Sequence, residues 1–274
     1  MSTSSPALPR PKRTIGISLK LYFDHPKTVS YLAALQPLNA LAQSHDISLF
    51  LIPSMISLPL LLAQQSTASS NPTSSPQILL GAQNSFYEDD GAYTGEVSPL
   101  GLAQLGCSLV ELGHAERRRL FGEDDAVVAL KARASLRNGM VPLVCIGEKH
   151  EGSVEEAVAE CRSQVESILD VLDESEKTNK GARKEIIFAY EPVWAIGQPT
   201  PAPAEYVVNV VKALRDICVQ RGRGGHGEIR FLYGGSAGPG TFEKMSEGVD
   251  GLFLGRFGHD PKRVREVIEE VARA

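Results

Sequence analysis

Eight short apolar runs recur along this chain at regular intervals: Thr14–Ser18, Ile47–Ile52, Ile78–Ala82, Ser108–Leu112, Val141–Ile146, Ile186–Tyr190, Ile229–Tyr233 and Gly251–Leu254. Most are nearly continuous in apolar residues rather than alternating. That is the pattern of strands buried on both faces, and each interval is long enough for a returning helix. Helical periodicity fills the intervals, as in Val29–Ala42, Asp124–Arg137, Val154–Leu172, Ala204–Gln220 and Pro261–Ala272. Parallel β-α units follow. An open doubly wound sheet would also alternate, but eight even units without a linker or composition break favour closure into a single (β/α)8 barrel, an α/β fold. The 274 residues suit such a barrel, which commonly takes about 250.

Charge and composition narrow the partners. Twenty-eight basic against 33 acidic side chains leave a net charge of −5, which provides no general basic surface for nucleic acid or anionic lipid. Any phosphate must therefore be held by a local site. The most apolar stretch, Ile47–Ala63, is broken by Pro53 and Pro59 and falls short of the roughly 20 residues of a membrane span, so it reads as a buried strand followed by a helix. Cys107, Cys145, Cys161 and Cys218 are scattered and do not cluster with histidine, which argues against a disulfide scaffold or a metal site. Residues 1–13 read as a mobile tail without the apolar run of a signal peptide, leaving 14–274 for the barrel and implying a cytoplasmic location. Gln65–Pro76, rich in Ser, Thr, Asn and Pro, reads as a surface loop. GRGGHG at 222–227 satisfies a dinucleotide-binding pattern formally, but it follows a helix and precedes a strand, the reverse of the required context.

In a barrel of this kind catalytic groups project from the C-terminal ends of the strands. Four such ends are unusual. The first strand leads into Lys20, the fourth into Gly113-His114-Ala115-Glu116-Arg117, the sixth into Glu191-Pro192-Val193-Trp194, and the seventh into Gly234-Gly235-Ser236. Around them stand GAQNSFYEDDGAYTGEVSP (81–99), ELGHAERR (111–118), VCIGE (144–148), AYEPVWAIG (189–197) and YGGS (233–236). In order and spacing these segments resemble the triosephosphate isomerase family, and the likeness runs from about Thr14 to the C-terminus.

The resemblance implies an aldose–ketose isomerase without cofactor or metal, acting on a small phosphorylated sugar in glycolysis and gluconeogenesis. By that likeness Glu191 is the base that moves a proton between adjacent carbons through an enediolate, and His114 is a neutral electrophile that polarises the carbonyl; both roles are a worked case of pKa tuning in this family. A helix starting near Ala115 would disfavour the imidazolium at His114. Lys20 supplies fixed positive charge. Phosphate is expected at the glycine-rich turns of Gly234, Gly235, Ser236 and Gly255, where backbone N–H groups can approach an oxyanion. Gly197 resembles the tip of a mobile lid, and Tyr233 a residue that steadies it when closed. Glu116 and Arg117 resemble a supporting pair behind the reacting groups, with Arg118 and Arg119 as ordinary helix charges. Cys145 and Glu148 also match, Cys145 as a buried, unreactive thiol.

Several positions depart from the family pattern. Ser18-Leu19-Lys20 stands where Asn-Trp-Lys is usual, so a shorter hydroxyl replaces an amide and enlarges the pocket. Ala115 replaces a serine, Gly255-Arg256 a Gly-Gly turn, and Gln198-Pro199 a Thr-Gly in the lid. Ser18 and Arg256 join Gly197, Ser236 and Gly255 as candidate substrate contacts. Changes around the substrate with the proton-transfer residues kept suit altered specificity within one reaction type. Two substrates follow: triose phosphate as the main expectation, and a tetrulose phosphate such as an erythrulose phosphate as the alternative. A non-catalytic phosphate-binding relative would have little reason to keep lysine, histidine and glutamate together. Residues 83–96, with Phe86 and Tyr87 in an otherwise polar loop, resemble the segment by which the family forms homodimers, bringing Thr94 near the partner's site.

Overall fold

The structure is a computed structural model and describes residues 13–69, 77–178, 185–223 and 228–274. The tail expected at 1–13 lies outside these residues but for Arg13, as do most of the GRGGHG segment and the end of the Gln65–Pro76 loop. Eight strands, β1 (Arg13–Ser18), β2 (Ile47–Ile52), β3 (Leu79–Ala82), β4 (Leu109–Leu112), β5 (Val141–Ile146), β6 (Ile186–Tyr190), β7 (Ile229–Tyr233) and β8 (Gly251–Leu254), form a closed barrel in chain order. All neighbours are parallel, and β8 returns to β1 with Thr14 opposite Gly251.

Strand alternation divides the core in two. Phe50, Ile52, Leu109, Leu143, Cys145, Ala189, Leu232 and Phe253 form a cluster inside the barrel, whereas Leu49, Leu51, Val110, Val144 and Phe188 belong to the larger cluster shared with the helices. Phe50 fits inside because β1 carries Gly16 beside it: a Cβ there would fall 2.0 Å from the ring. Outside lie α1 (His25–Ser44), α2 (Leu58–Ser69), α3 (Pro99–Gln104), α4 (Ala115–Phe121), α5 (Asp125–Arg137), α6 (Val154–Thr178), α7 (Ala204–Gln220) and α8 (Pro261–Arg273). Their starts follow capping chemistry: Asp24, Ser98, Asp124 and Asp260 each accept a backbone N–H of the first turn. The apolar stripe of α7, with Val207, Val210, Val211 and Leu214 fully buried, shows how a long helix seals the sheet.

Two expectations change. Gln65–Ser69 is not loop but the end of α2, where Gln65 Nε2 donates to the Ile78 carbonyl at 3.2 Å. The alternation of helices is also uneven: two helices, α4 and α5, lie between β4 and β5, and residues 234–250 carry turns but no α-helix between β7 and β8. Gly234, Gly235, Gly238, Pro239 and Gly240 break helical propagation there and leave the backbone open at the barrel mouth. No helix among the described residues is long and apolar enough to cross a membrane.

Candidate active site

A cavity of about 330 Å³ opens at the C-terminal end of the barrel. Lys20, His114, Glu116 and Glu191 line one part of it; Gly197, Ser236, Gly255 and Arg256 line another, and Ser18 sits at its floor. Arg117 and Tyr233 stand behind the wall rather than in it. The volume lies in the range of small-molecule sites.

His114 is the cap of α4, and its ring Nδ1 accepts the backbone N–H of Glu116 at 3.1 Å. That contact fixes the tautomer: a neutral ring accepting at Nδ1 carries its proton on Nε2. Burial and the Lys20 charge push the pKa down to about 4, against the pull of Glu116. Nε2 faces Glu191 Oε2 at 3.6 Å, a gap too wide for a strong hydrogen bond. Upstream, Gly113 takes φ +65, and Arg118 is more than a helix charge, since its Nε donates to the Gly113 carbonyl at 2.7 Å and anchors this turn.

Glu191 follows β6 and is 5% exposed. Burial, reinforced by the charge of Glu111, pushes its pKa up to about 8 against Lys20 and the Cys145 thiol. Its Oε2 is buried without a hydrogen-bond partner among the described residues. An unsatisfied buried acceptor costs roughly 1–3 kcal/mol, which marks this oxygen as a costly feature of the cavity wall. Gly234 makes room for it, because a Cβ there would lie 2.7 Å from Glu191 Cγ and Oε1.

Lys20 sits beyond β1 at φ 46, a conformation that a side-chain-bearing residue rarely adopts. Gln83 Nε2 holds it there by donating to its carbonyl at 2.7 Å. Its Nζ donates to Glu116 Oε1 at 2.7 Å, and although burial opposes the charge, Glu116 with Glu191 and Glu111 raises the pKa above the ordinary lysine value. Glu116 and Arg117 thus serve different partners: Arg117 Nε donates to Glu123 Oε1 at 2.8 Å, where buried Lys131 also binds at 2.7 Å.

The segment expected to form a lid is tied by three hydrogen bonds. Ser236 Oγ donates to the Gln198 carbonyl at 2.7 Å, Arg256 to the Gly197 carbonyl at 3.2 Å, and the Ala202 N–H to the Tyr233 hydroxyl at 3.0 Å. Gly197 has φ +76, a turn for which glycine is suited. Behind the lid, Glu148 accepts from Trp194 Nε1 at 2.7 Å, Tyr206 at 2.9 Å and Tyr190 at 3.0 Å. Cys145 is buried, and burial raises its thiol pKa well above the ordinary value.

Among the cavity residues that sequence reasoning passed over is one carboxylate, Glu111. It is 4% exposed, lines the floor, and accepts the Ser18 hydroxyl at 3.0 Å. Burial pushes its pKa up to about 7 against that bond and the Lys20 charge. The signal was a lone charge in an otherwise apolar strand buried on both faces. Ser18 is accordingly no bare widening of the pocket, since its hydroxyl is committed to this carboxylate.

The family model described as triosephosphate isomerase matches residues 13–271. The L-erythrulose-1-phosphate isomerase of Pectobacterium atrosepticum is 38% identical over 94% of this chain and 95% of its own. That of Mesorhizobium japonicum is 43% identical over 67% and 70% respectively, and triosephosphate isomerase 2 of Listeria innocua 32% over 96% and 98%. The higher identities to proteins named for a tetrulose phosphate overturn triose phosphate as the main substrate expectation and favour the alternative. The match over nearly all of the barrel, on top of the strand-end residues gathered at its mouth, shows that the chain belongs to the triosephosphate isomerase family of isomerases.

Proposed function

We propose that this chain isomerises an erythrulose phosphate, with Glu191 as base, His114 as electrophile and Lys20 as fixed charge. The observation that carries the chemistry is the pair across the cavity: a neutral His114 whose Nε2 carries the proton, 3.6 Å from Glu191 Oε2, a buried oxygen without a hydrogen-bond partner among the described residues. In erythrulose 1-phosphate the carbonyl is C2, C3 carries the next hydroxyl, and C4 is a terminal hydroxymethyl. Glu191 takes the C3 proton, and the electron pair forms the C2–C3 enediolate. His114 Nε2 gives a proton to the oxygen on C2 and takes one back from the oxygen on C3. Glu191 then returns its proton to C2, so the carbonyl moves to C3 and no redox partner is consumed. Lys20, beside Glu116, offsets the negative charge that passes through the enediolate. Burial is what makes the carboxylate a strong enough base for a carbon acid near neutral pH.

The turns at Ser236 and Gly255 suit the phosphate, since both line the cavity, Ser236 in the helix-free stretch after β7 and Gly255 just after β8. Closure of the segment around Gly197 over that phosphate would exclude water. Residues 83–96 form an interface between two copies: Phe86 stacks on Tyr87 at 4.0 Å between centroids, and Leu21, Tyr22 and Ile56 stand exposed on loops at the same end of the barrel. All four cysteines are buried free thiols, in keeping with a reducing, cytoplasmic compartment.

Purified protein incubated with L-erythrulose 1-phosphate and with dihydroxyacetone phosphate in separate reactions tests the substrate. The expected result is a kcat/KM at least about tenfold higher for the tetrulose phosphate, with deuterium from solvent entering the carbon that receives the proton. Preference for the triose phosphate would refute the reading. Sedimentation of an active monomer at micromolar concentration would refute the interface.

A further inference from the structure

We propose that Glu111, held by Ser18, binds the terminal hydroxymethyl group of the four-carbon substrate and sets the preference for that chain length. The inference deepens the proposed erythrulose phosphate reading and rests on it. Leu109 faces the barrel interior, so alternation along β4 turns Glu111 inward as well, nearer the mouth. Ser18 ends β1, and two strands separate β1 from β4 in the sheet, so the 3.0 Å contact spans the barrel lumen rather than the sheet surface. Among the described residues no basic side chain forms an ion pair with Glu111; Lys20, the nearby cation, is bound to Glu116.

A carboxylate in such a place is costly, and a leucine like Leu109 or Leu143 would fill the lumen more cheaply. The group therefore needs a use. Ionised, it has about four acceptor positions, of which the Ser18 hydroxyl takes one. Position names the donor. Phosphate at the Ser236 and Gly255 turns lies on β7 and β8, and β4 is on the opposite side of the closed barrel from β8. A substrate laid across the cavity with its phosphate at those turns, and its reacting carbons between His114 and Glu191, points its other end toward β4. In a triose phosphate that end stops at the reacting carbon. In a tetrulose phosphate it continues into CH2–OH, whose hydroxyl donates to the Glu111 carboxylate.

The test compares L-erythrulose 1-phosphate with the analogue in which C4 is a methyl group, so that only the terminal oxygen is lost. Native protein is expected to favour the hydroxylated compound by about 10²-fold or more in kcat/KM, because a buried acceptor built for a substrate hydroxyl is left unpaired by the analogue. Glu111→Leu should bring the ratio close to one, and Glu111→Gln should give an intermediate value. A merely structural role would lower both compounds together and leave the ratio alone. A native ratio near one, or a ratio unchanged in Glu111→Leu, overturns the inference while the tetrulose reading stands; no turnover of either compound by native protein overturns both.

Discussion

Glu191 should destabilise the folded chain at the pH where it works, and Glu191→Gln should reveal by how much. Its carboxyl ionises at an ordinary value of 4.5 when unfolded and at about 8 in the folded protein, raised first by burial and then by Glu111. Between these values the folded state binds more protons than the unfolded state, so folding stability falls as pH rises and levels off above about 8. Each pH unit of separation is worth about 1.4 kcal/mol, which sets a ceiling of about 5 kcal/mol. Glutamine keeps the shape and cannot ionise. The stability difference between Glu191→Gln and native protein should therefore be near zero at pH 4, grow through neutrality, and reach a plateau above pH 8. Relaxation of the surrounding side chains relieves part of the penalty, and about half the ceiling, roughly 2–3 kcal/mol, is expected at the plateau. Urea midpoints for both proteins, at one protein concentration and a series of pH values, give the difference directly. Titrating groups that do not feel the Glu191 charge are common to both chains and cancel, whereas Glu111 is coupled to it and contributes to the difference. A difference that does not change with pH, or that shrinks as pH rises, would refute the assignment of a dry, reluctantly charged base.

The same protonation states govern turnover. kcat/KM of the native protein should rise with pH toward a midpoint near 8 as Glu191 ionises, without an inflection near 6.5 from His114, whose pKa lies near 4; an inflection near 6.5 that vanishes in His114→Gln would contradict this. Gly234→Ala places a methyl group 2.7 Å from the Glu191 side chain and should lower kcat by about 10²-fold through displacement of the base, which a steady-state assay beside a thermal melt separates from unfolding. Tyr233→Phe leaves the buried Ala202 N–H without its 3.0 Å acceptor and should cost about 1–3 kcal/mol in urea titration; a stability unchanged within error would mean that the hydroxyl is not the anchor at this end of the lid.

The barrel was legible because its strands are buried on both faces, so apolar runs mark them without help from tertiary context. The strand boundaries at β2, β5, β6, β7 and β8 coincide with those runs, whereas β3 and β4 are shorter because Ile78 and Ser108 precede the parallel pairing. The helix expected between β7 and β8 is missing because six glycine and proline residues interrupt any apolar stripe there. Lys20, His114 and Glu191 stood out by place, each just past a strand end. Glu111 did not, because its meaning depends on facing inward, and a strand apolar on both faces does not say which side of the sheet a residue takes. Only the contact with Ser18 across the lumen reveals it.

On the proposed roles, that contact lets one fold keep its proton chemistry while changing its substrate. His114 follows β4 and Glu191 follows β6, each fixed by backbone features: the Glu116 N–H for the imidazole, and the room left by Gly234 for the carboxylate. Neither fixture involves Ser18 or Glu111, which contact each other within the lumen. Glu111 reaches the base only through its charge, which helps raise the Glu191 pKa. A change at these two floor positions can thus alter what fits at the far end of the substrate while leaving the geometry of the reacting pair intact. Its unavoidable side effect is electrostatic: a second buried carboxylate makes Glu191 a stronger base and moves the pH at which it becomes active upward. Substrate length and pH dependence are therefore coupled in this barrel, and neutralising Glu111 should shift the rising limb of the kcat/KM profile to lower pH even for a substrate that never touches it.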